Sequence, residues 1–179
     1  MNTQTLNPIA RSLAQGIMGS KDLFLRFVAG FDDSNKVTQA TNLLNHFAWN
    51  MGHISLVMHR VAGKLDGREL PESDFIEKAT RGDATRFGTE TCAFGSIVST
   101  DSNAFPSHAR CIAIFECSCA RLARALEETP DAKLNDETQW GSGMTTFLSL
   151  AQRMVFHNGV HAGELIDLRR ALGMPRVMG

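Results

Sequence analysis

Phe156-His157-Asn158-Gly159-Val160-His161-Ala162-Gly163-Glu164-Leu165 is the stretch whose reading decides the rest. His157 and His161 stand four apart, and on a helix that spacing stacks two side chains on one face, about 5–6 Å apart at Cβ. Phe147, Leu150, Met154, His157, His161, Leu165 and Leu168 recur at intervals of three or four, the pattern of a core-facing stripe. The two imidazoles therefore point inward. Burying such a pair without partners is costly, and two imidazoles in register can share a metal ion. One helix cannot surround an ion, so a third ligand has to come from a facing helix. His46, His53, His59 and His108 are the candidates.

The same periodicity predicts three more long helices. Helix one begins at Asn7-Pro8, a cap followed by a residue suited to the first turn, and reaches Gly30 with Ile9, Leu13, Ile17, Phe24, Phe27 and Val28 inward. Helix two runs from about Thr38 to Leu65 and is stopped by Asp66-Gly67. One of its stripes is Leu44, Phe47, Met51, Ile54, Met58, Val61 and Leu65; a second face carries His46, Trp49, His53 and Leu56. Helix three opens at Asn103-Ala104-Phe105-Pro106 and runs to Glu128. Helix four spans Thr145 to Leu172 and is stopped by Gly173 and Pro175, with Arg169 and Arg170 at its negative end. Residues 67–105 and 131–143 break the pattern. The first is long enough to be a functional loop or a mobile excursion. No segment alternates as a strand does. The expected fold is all-α, a single domain over residues 1–179: an antiparallel four-helix bundle with a long irregular connection between helices two and three.

Composition narrows the function. The chain has 179 residues, 43% of them apolar, enough for one full core. Its formal charge of −1, with both signs interspersed, offers no footprint for nucleic acid or an anionic membrane. No apolar run approaches the ~20 residues of a membrane span. Met1-Asn2-Thr3-Gln4-Thr5 lacks the basic-then-apolar pattern of a signal peptide. Cys92, Cys111, Cys117 and Cys119 have no C-x-x-C spacing and read as reduced, largely buried thiols, which suits a cytoplasmic protein. There is no glycine loop for phosphate and no Arg cluster suited to an anion.

Known metal motifs are excluded by single residues. A zinc-protease helix needs Glu directly after its first His, and Asn158 stands there. Di-iron bundles need Glu-x-x-His on two helices, and the sequence has none. Asn45-His46-Phe47-Ala48-Trp49-Asn50-Met51-Gly52-His53-Ile54, together with His157 to Leu165, resembles the second- and fourth-helix signatures of the DinB-like superfamily. The resemblance covers nearly the whole chain. It implies a bundle of the DinB/YfiT-like type with a three-histidine site for one divalent metal, held by His53, His157 and His161. It also implies a metal-dependent transferase or hydrolase acting on a small molecule with a low-molecular-weight thiol, or else a non-catalytic metal-binding or stress-response protein. Three imidazoles accept Zn, Ni, Fe or Cu; Zn or Ni is expected first, Fe next.

Three neutral nitrogens leave a fourth position open, as in catalytic zinc sites. Glu164, one turn beyond His161, is the candidate catalytic acid or base, or an orienting group. Glu116 and His108 are candidate outer groups. At about 100° per residue, His53 lies roughly 140° from the centre of helix two's most regular stripe. Either the Trp49/His53/Leu56 face looks into the bundle and the Leu44/Met51/Met58 face packs elsewhere, or His53 is not a ligand; the first is preferred, and from it a homodimer is expected.

Overall fold

Long helices form where the apolar stripes run unbroken, and their ends are set by capping groups. The structure, a computed structural model, describes residues 7–78 and 83–177. Its helices are α1 (Pro8–Arg26), α2 (Phe47–Asp66), the short α3 (Thr89–Cys92), α4 (His108–Glu127) and α5 (Phe147–Ala171). α1 packs on α4 and α5, and α2 packs on the same two helices. The shared core includes Phe24, Phe47, Met51, Phe115, Leu122 and Leu165. Residues 1–6, which include the stretch read as lacking a signal peptide, lie outside the described residues, as do residues 79–82 of the long connection. Among the described residues no helix is long and apolar enough to cross a membrane. All four cysteines are free; Cys92, Cys111 and Cys119 are buried and Cys117 is exposed.

α1 begins at Pro8 as expected, but Asn7 makes no side-chain cap bond. The Asp131 carboxylate does that work from across the fold, accepting from the N–H groups of Ile9 at 3.2 Å and Ala10 at 3.0 Å. A carboxylate there also suits the positive end of the helix. α1 stops at Arg26 rather than Gly30. Beyond it, the buried Arg169 guanidinium of α5 donates to the carbonyl oxygens of Phe27, Ala29 and Pro175. Arg169 was expected to serve the end of its own helix. It serves the end of α1 as well.

α2 starts nine residues later than its periodicity suggests. Asn42 sits at φ 63°, a left-handed conformation that a helix interior does not hold. His46 then caps the helix, its Nδ1 accepting from the Trp49 N–H at 3.1 Å. Leu44 falls outside the helix and is exposed. Gly67, at φ 71°, closes α2 as expected. Every residue from Phe47 to His59 is buried. Both faces of α2 are therefore covered within this chain.

The two irregular connections contain short strands that were not foreseen. β1 (Phe75–Ile76) pairs in parallel with β2 (Phe87–Gly88). β3 (Glu137–Trp140) and β4 (Gly143–Thr146) form an antiparallel hairpin, turned at Gly141 with φ 60°. Two to four residues are too few for alternation to be read from sequence. α4 begins five residues after Asn103, because Pro106 holds Phe105 extended. Ser107 caps it, accepting from the Arg110 N–H at 3.3 Å.

Candidate metal centre

α2 and α5 bring together the three histidines. One ring nitrogen from each of His53, His157 and His161 lies within 4.8 Å of the others. The Nε2 atoms of His157 and His161 are 3.2 Å apart. The His53 ring centroid lies 5.3 Å from that of His157 and 5.1 Å from that of His161.

The residues fit a metal ion on two counts. Zn–N bonds of 2.0–2.1 Å put neighbouring nitrogens of a tetrahedron about 3.3–3.4 Å apart, close to the observed 3.2 Å. Further, the Nδ1–H of His161 is already given to Asn50 and Glu164, so its Nε2 presents a lone pair to the Nε2 of His157. Without an ion, one Nε2 of the α5 pair has to donate to the other; a cation satisfies both lone pairs. Among the described residues no fourth His, Cys, Asp or Glu joins this group.

Each ring is aimed by its surroundings. The Nδ1–H of His53 donates to the Cys92 carbonyl at 2.9 Å. That carbonyl arrives because α3 and β2 press against Gly52: a Cβ there would lie 2.8 Å from the Phe87 ring and 2.9 Å from the Cys92 Cβ. The Gly-His pair in the sequence is thus a packing requirement. Trp49 stacks on His53 at 4.7 Å, 5° from parallel, and its indole N–H donates to Ser96 Oγ at 2.9 Å. The Nδ1–H of His161 donates to Asn50 Oδ1 at 2.7 Å and to Glu164 Oε2 at 3.0 Å. The Asn50 amide nitrogen donates to the carbonyls of Asn45 and His46, which turns its oxygen toward His161.

Burial pushes the His157 pKa down to about 3, with the neighbouring His161 and His53 adding to it. Burial also lowers that of His53, opposed in part by the Cys92 carbonyl. Both are neutral at pH 7, the form that binds metal. Burial raises the Glu164 pKa, but the hydrogen bond and charge of His161 and the amide of Asn45 outweigh it, so the carboxyl lies below its usual range. An ionised Glu164 is a strong acceptor for the imidazole N–H.

The remaining candidates lie elsewhere. His46 is the α2 cap, its Nε2–H donating to the Ser99 carbonyl at 2.8 Å. His108 packs on Phe47, and Glu116 is exposed on α4. His59, Asp74 and Cys117 form a second close group. Arg110 bonds Asp74 at 2.6 Å and Arg121 approaches the His59 Nδ1 at 3.3 Å. Two guanidiniums already fill the electrostatic role that a cation would take, so this group reads as an ion network.

His53 and His157 line a cleft of about 810 Å³. Phe94 from the long connection and Trp140 from the hairpin border it, so both irregular connections reach the site. Arg60, Lys64, Arg68 and Arg153 line it too. Three of these, Arg60, Lys64 and Arg68, follow one another at four-residue spacing, and folding adds Arg153 from α5. A signal was present, since Arg60 stands seven beyond His53 and Arg153 four before His157, both same-face spacings. The Cys92 carbonyl left no signal, because every residue has one.

A family model described as the DinB superfamily matches residues 19–165, a span that holds all three histidines. No curated protein matches. Among solved structures, the crystal structure of a conserved protein from Enterococcus faecalis is similar, with a TM-score of 0.64 and 13% identity. The match covers 90% of this chain and 96% of that one, and at such identity it is a likeness of fold alone.

Proposed function

Since the chain belongs to the DinB superfamily, we propose that it holds one divalent metal ion on His53, His157 and His161 and acts as a metal-dependent transferase or hydrolase of a small molecule, with a low-molecular-weight thiol as co-substrate. The scaffold is an antiparallel four-helix bundle of α1, α2, α4 and α5 carrying the site between α2 and α5. Zn or Ni is the first expectation for the ion, Fe the next. The observation that carries the reading is the convergence of three histidine nitrogens within 4.8 Å at the wall of a substrate-sized cleft.

When bound, the ion supplies Lewis acidity that makes a thiol or water more acidic at neutral pH. The chain's own groups do the rest. The Cys92 carbonyl keeps His53 in one tautomer, with Nε2 free to ligate. Asn50 and Glu164 do the same for His161. Trp49 covers the His53 ring and excludes water from that side. The Glu164 side chain is one-third exposed, which lets it take up a proton released beside the site while it orients His161.

Metal content per chain, measured by plasma mass spectrometry on untagged protein, tests this. The expected result is near one equivalent in the wild type, lost in both His157→Ala and His53→Ala. Retention of metal in His53→Ala would exclude that residue as the third ligand. Metal-free wild type, even after incubation with Zn or Ni, would sink the reading.

A further inference from the structure

The cleft beside the three histidines is chemically two-ended. Along α2, His53, Leu56, Val57, Arg60 and Lys64 face it in turn. From His53 to Arg60 is seven residues, a rise of about 10 Å. On α5, Arg153 precedes His157 by four residues, a rise of about 6 Å. Leu56 and Val57 fall between these poles on α2 and Met154 on α5, and Trp140 of the hairpin also lines the cleft. One end of the cleft is thus a metal-binding end, the other is cationic, and the middle is apolar.

The cationic end is unbalanced. Arg60, Lys64, Arg68 and Arg153 line the cleft, while Glu69 is the one acid lining it among the described residues. None of the four cations takes part in an ion pair among the described residues. Beyond the dominant effect of burial, the charge of Arg60 is felt at His53 and that of Arg153 at His157. A divalent ion on three neutral imidazoles would add two more positive charges to this end of the fold. An anionic ligand offsets that repulsion; a neutral one leaves it in place.

Building on the reading above, we propose that the cleft takes a small amphipathic carboxylate, with its reacting end at His53, His157 and His161, its apolar body on Leu56, Val57, Met154 and Trp140, and its carboxylate on Arg60 and Arg153. Planar guanidiniums match a carboxylate in two parallel hydrogen bonds. Guanidiniums would hold a phosphate equally well, but inorganic phosphate has no body to cover Leu56, Val57, Met154 and Trp140. A spacing of about 6–10 Å between the poles suits a body of roughly five to eight carbons.

Calorimetric titration of the metal-free protein with hexanoate, hexanamide and inorganic phosphate tests this, with the fluorescence of Trp49 and Trp140 together as a second readout. Hexanoate should bind about tenfold or more tightly than hexanamide, and should weaken as salt rises from about 50 to about 500 mM. The double variant Arg60→Gln/Arg153→Gln should lose roughly tenfold in hexanoate affinity at unchanged Tm, while Arg60→Lys/Arg153→Lys should keep part of it. Equal binding of hexanoate and hexanamide, or hexanoate binding unchanged in the folded Gln variant, would overturn the proposal. Phosphate binding as tight as hexanoate would overturn its amphipathic character. The titration needs no metal, so a failed metal reading leaves its outcome readable. Conversely, a protein that holds metal but shows no preference for hexanoate refutes only this inference.

Discussion

His46 holds two bonds that demand a neutral ring: its Nδ1 accepts from the Trp49 N–H, and its Nε2–H donates to Ser99. Burial pushes its pKa down from the ordinary 6.5 to about 4. The unfolded chain therefore takes up this proton first as pH falls. The stability that His46 contributes is full above about pH 6.5 and is lost as pH falls toward about 4. Between pH 7 and pH 5 the loss comes to about 2 kcal/mol. Urea unfolding of metal-free protein at the two pH values should show it, and His46→Asn, which keeps a capping side chain, should remove about that much of the pH dependence. An unchanged pH dependence in the variant would mean that His46 is not the group that titrates. The same residue sits in a stretch that resembles a metal-site signature, yet its role is to start a helix. Only the position of Trp49 and Ser99 distinguishes a cap from a ligand.

At the scale of elements, the ends of the helices decide geometry that their middles do not. Ala at Gly52 gains about 1 kcal/mol of helix propensity. It also drives a Cβ to within 2.9 Å of Phe87 and Cys92, an overpacking that costs about 1–3 kcal/mol. The clash is expected to win, and the Cys92 carbonyl should move away from His53. Gly52→Ala should therefore lower Tm and weaken zinc binding by about tenfold, read by competition with a chelating dye. A more stable variant with unchanged affinity would show that α3 does not aim His53. The start of α1 gives a paired case. Asp131→Ala should cost about 1 kcal/mol by denaturant unfolding, while Asn7→Ala should cost less than about 0.5. Asn7 has the better sequence position, but Asp131 holds the bonds. Equal costs would contradict that assignment.

For the whole molecule, a metal bound between α2 and α5 ties the two halves of the chain together, so it should act on global stability. At a free metal concentration of about 100 times Kd, binding adds about 2.7 kcal/mol. For a chain of this length that corresponds to roughly 5–10 °C in Tm. Calorimetry before and after dialysis against a chelator should show a shift of that size in the wild type and none in His157→Ala. A shift that persists in the variant would place the stabilising metal elsewhere, with His59 and Asp74 next to test.

The sequence alone determined what is local. The stripe on α5 put Met154, His161, Leu165 and Leu168 inside, and those residues are buried. Gly67, Pro8 and Gly173 punctuate their helices where their backbone preferences require. The His157/His161 pair was legible because a same-face spacing on one helix is a pattern a few residues long; His53 was singled out from four candidate histidines only by the resemblance of its stretch to the DinB-like signature. Tertiary structure decided whatever depends on residues distant in sequence: Asp131 capping α1, Arg169 reaching the end of α1, Cys92 orienting His53, and Arg153 joining Arg60, Lys64 and Arg68 on one cleft. Each of these is a contact between groups with no common periodicity. Hydrogen-bond need and charge set its strength, but only the packing of the helices sets its partner.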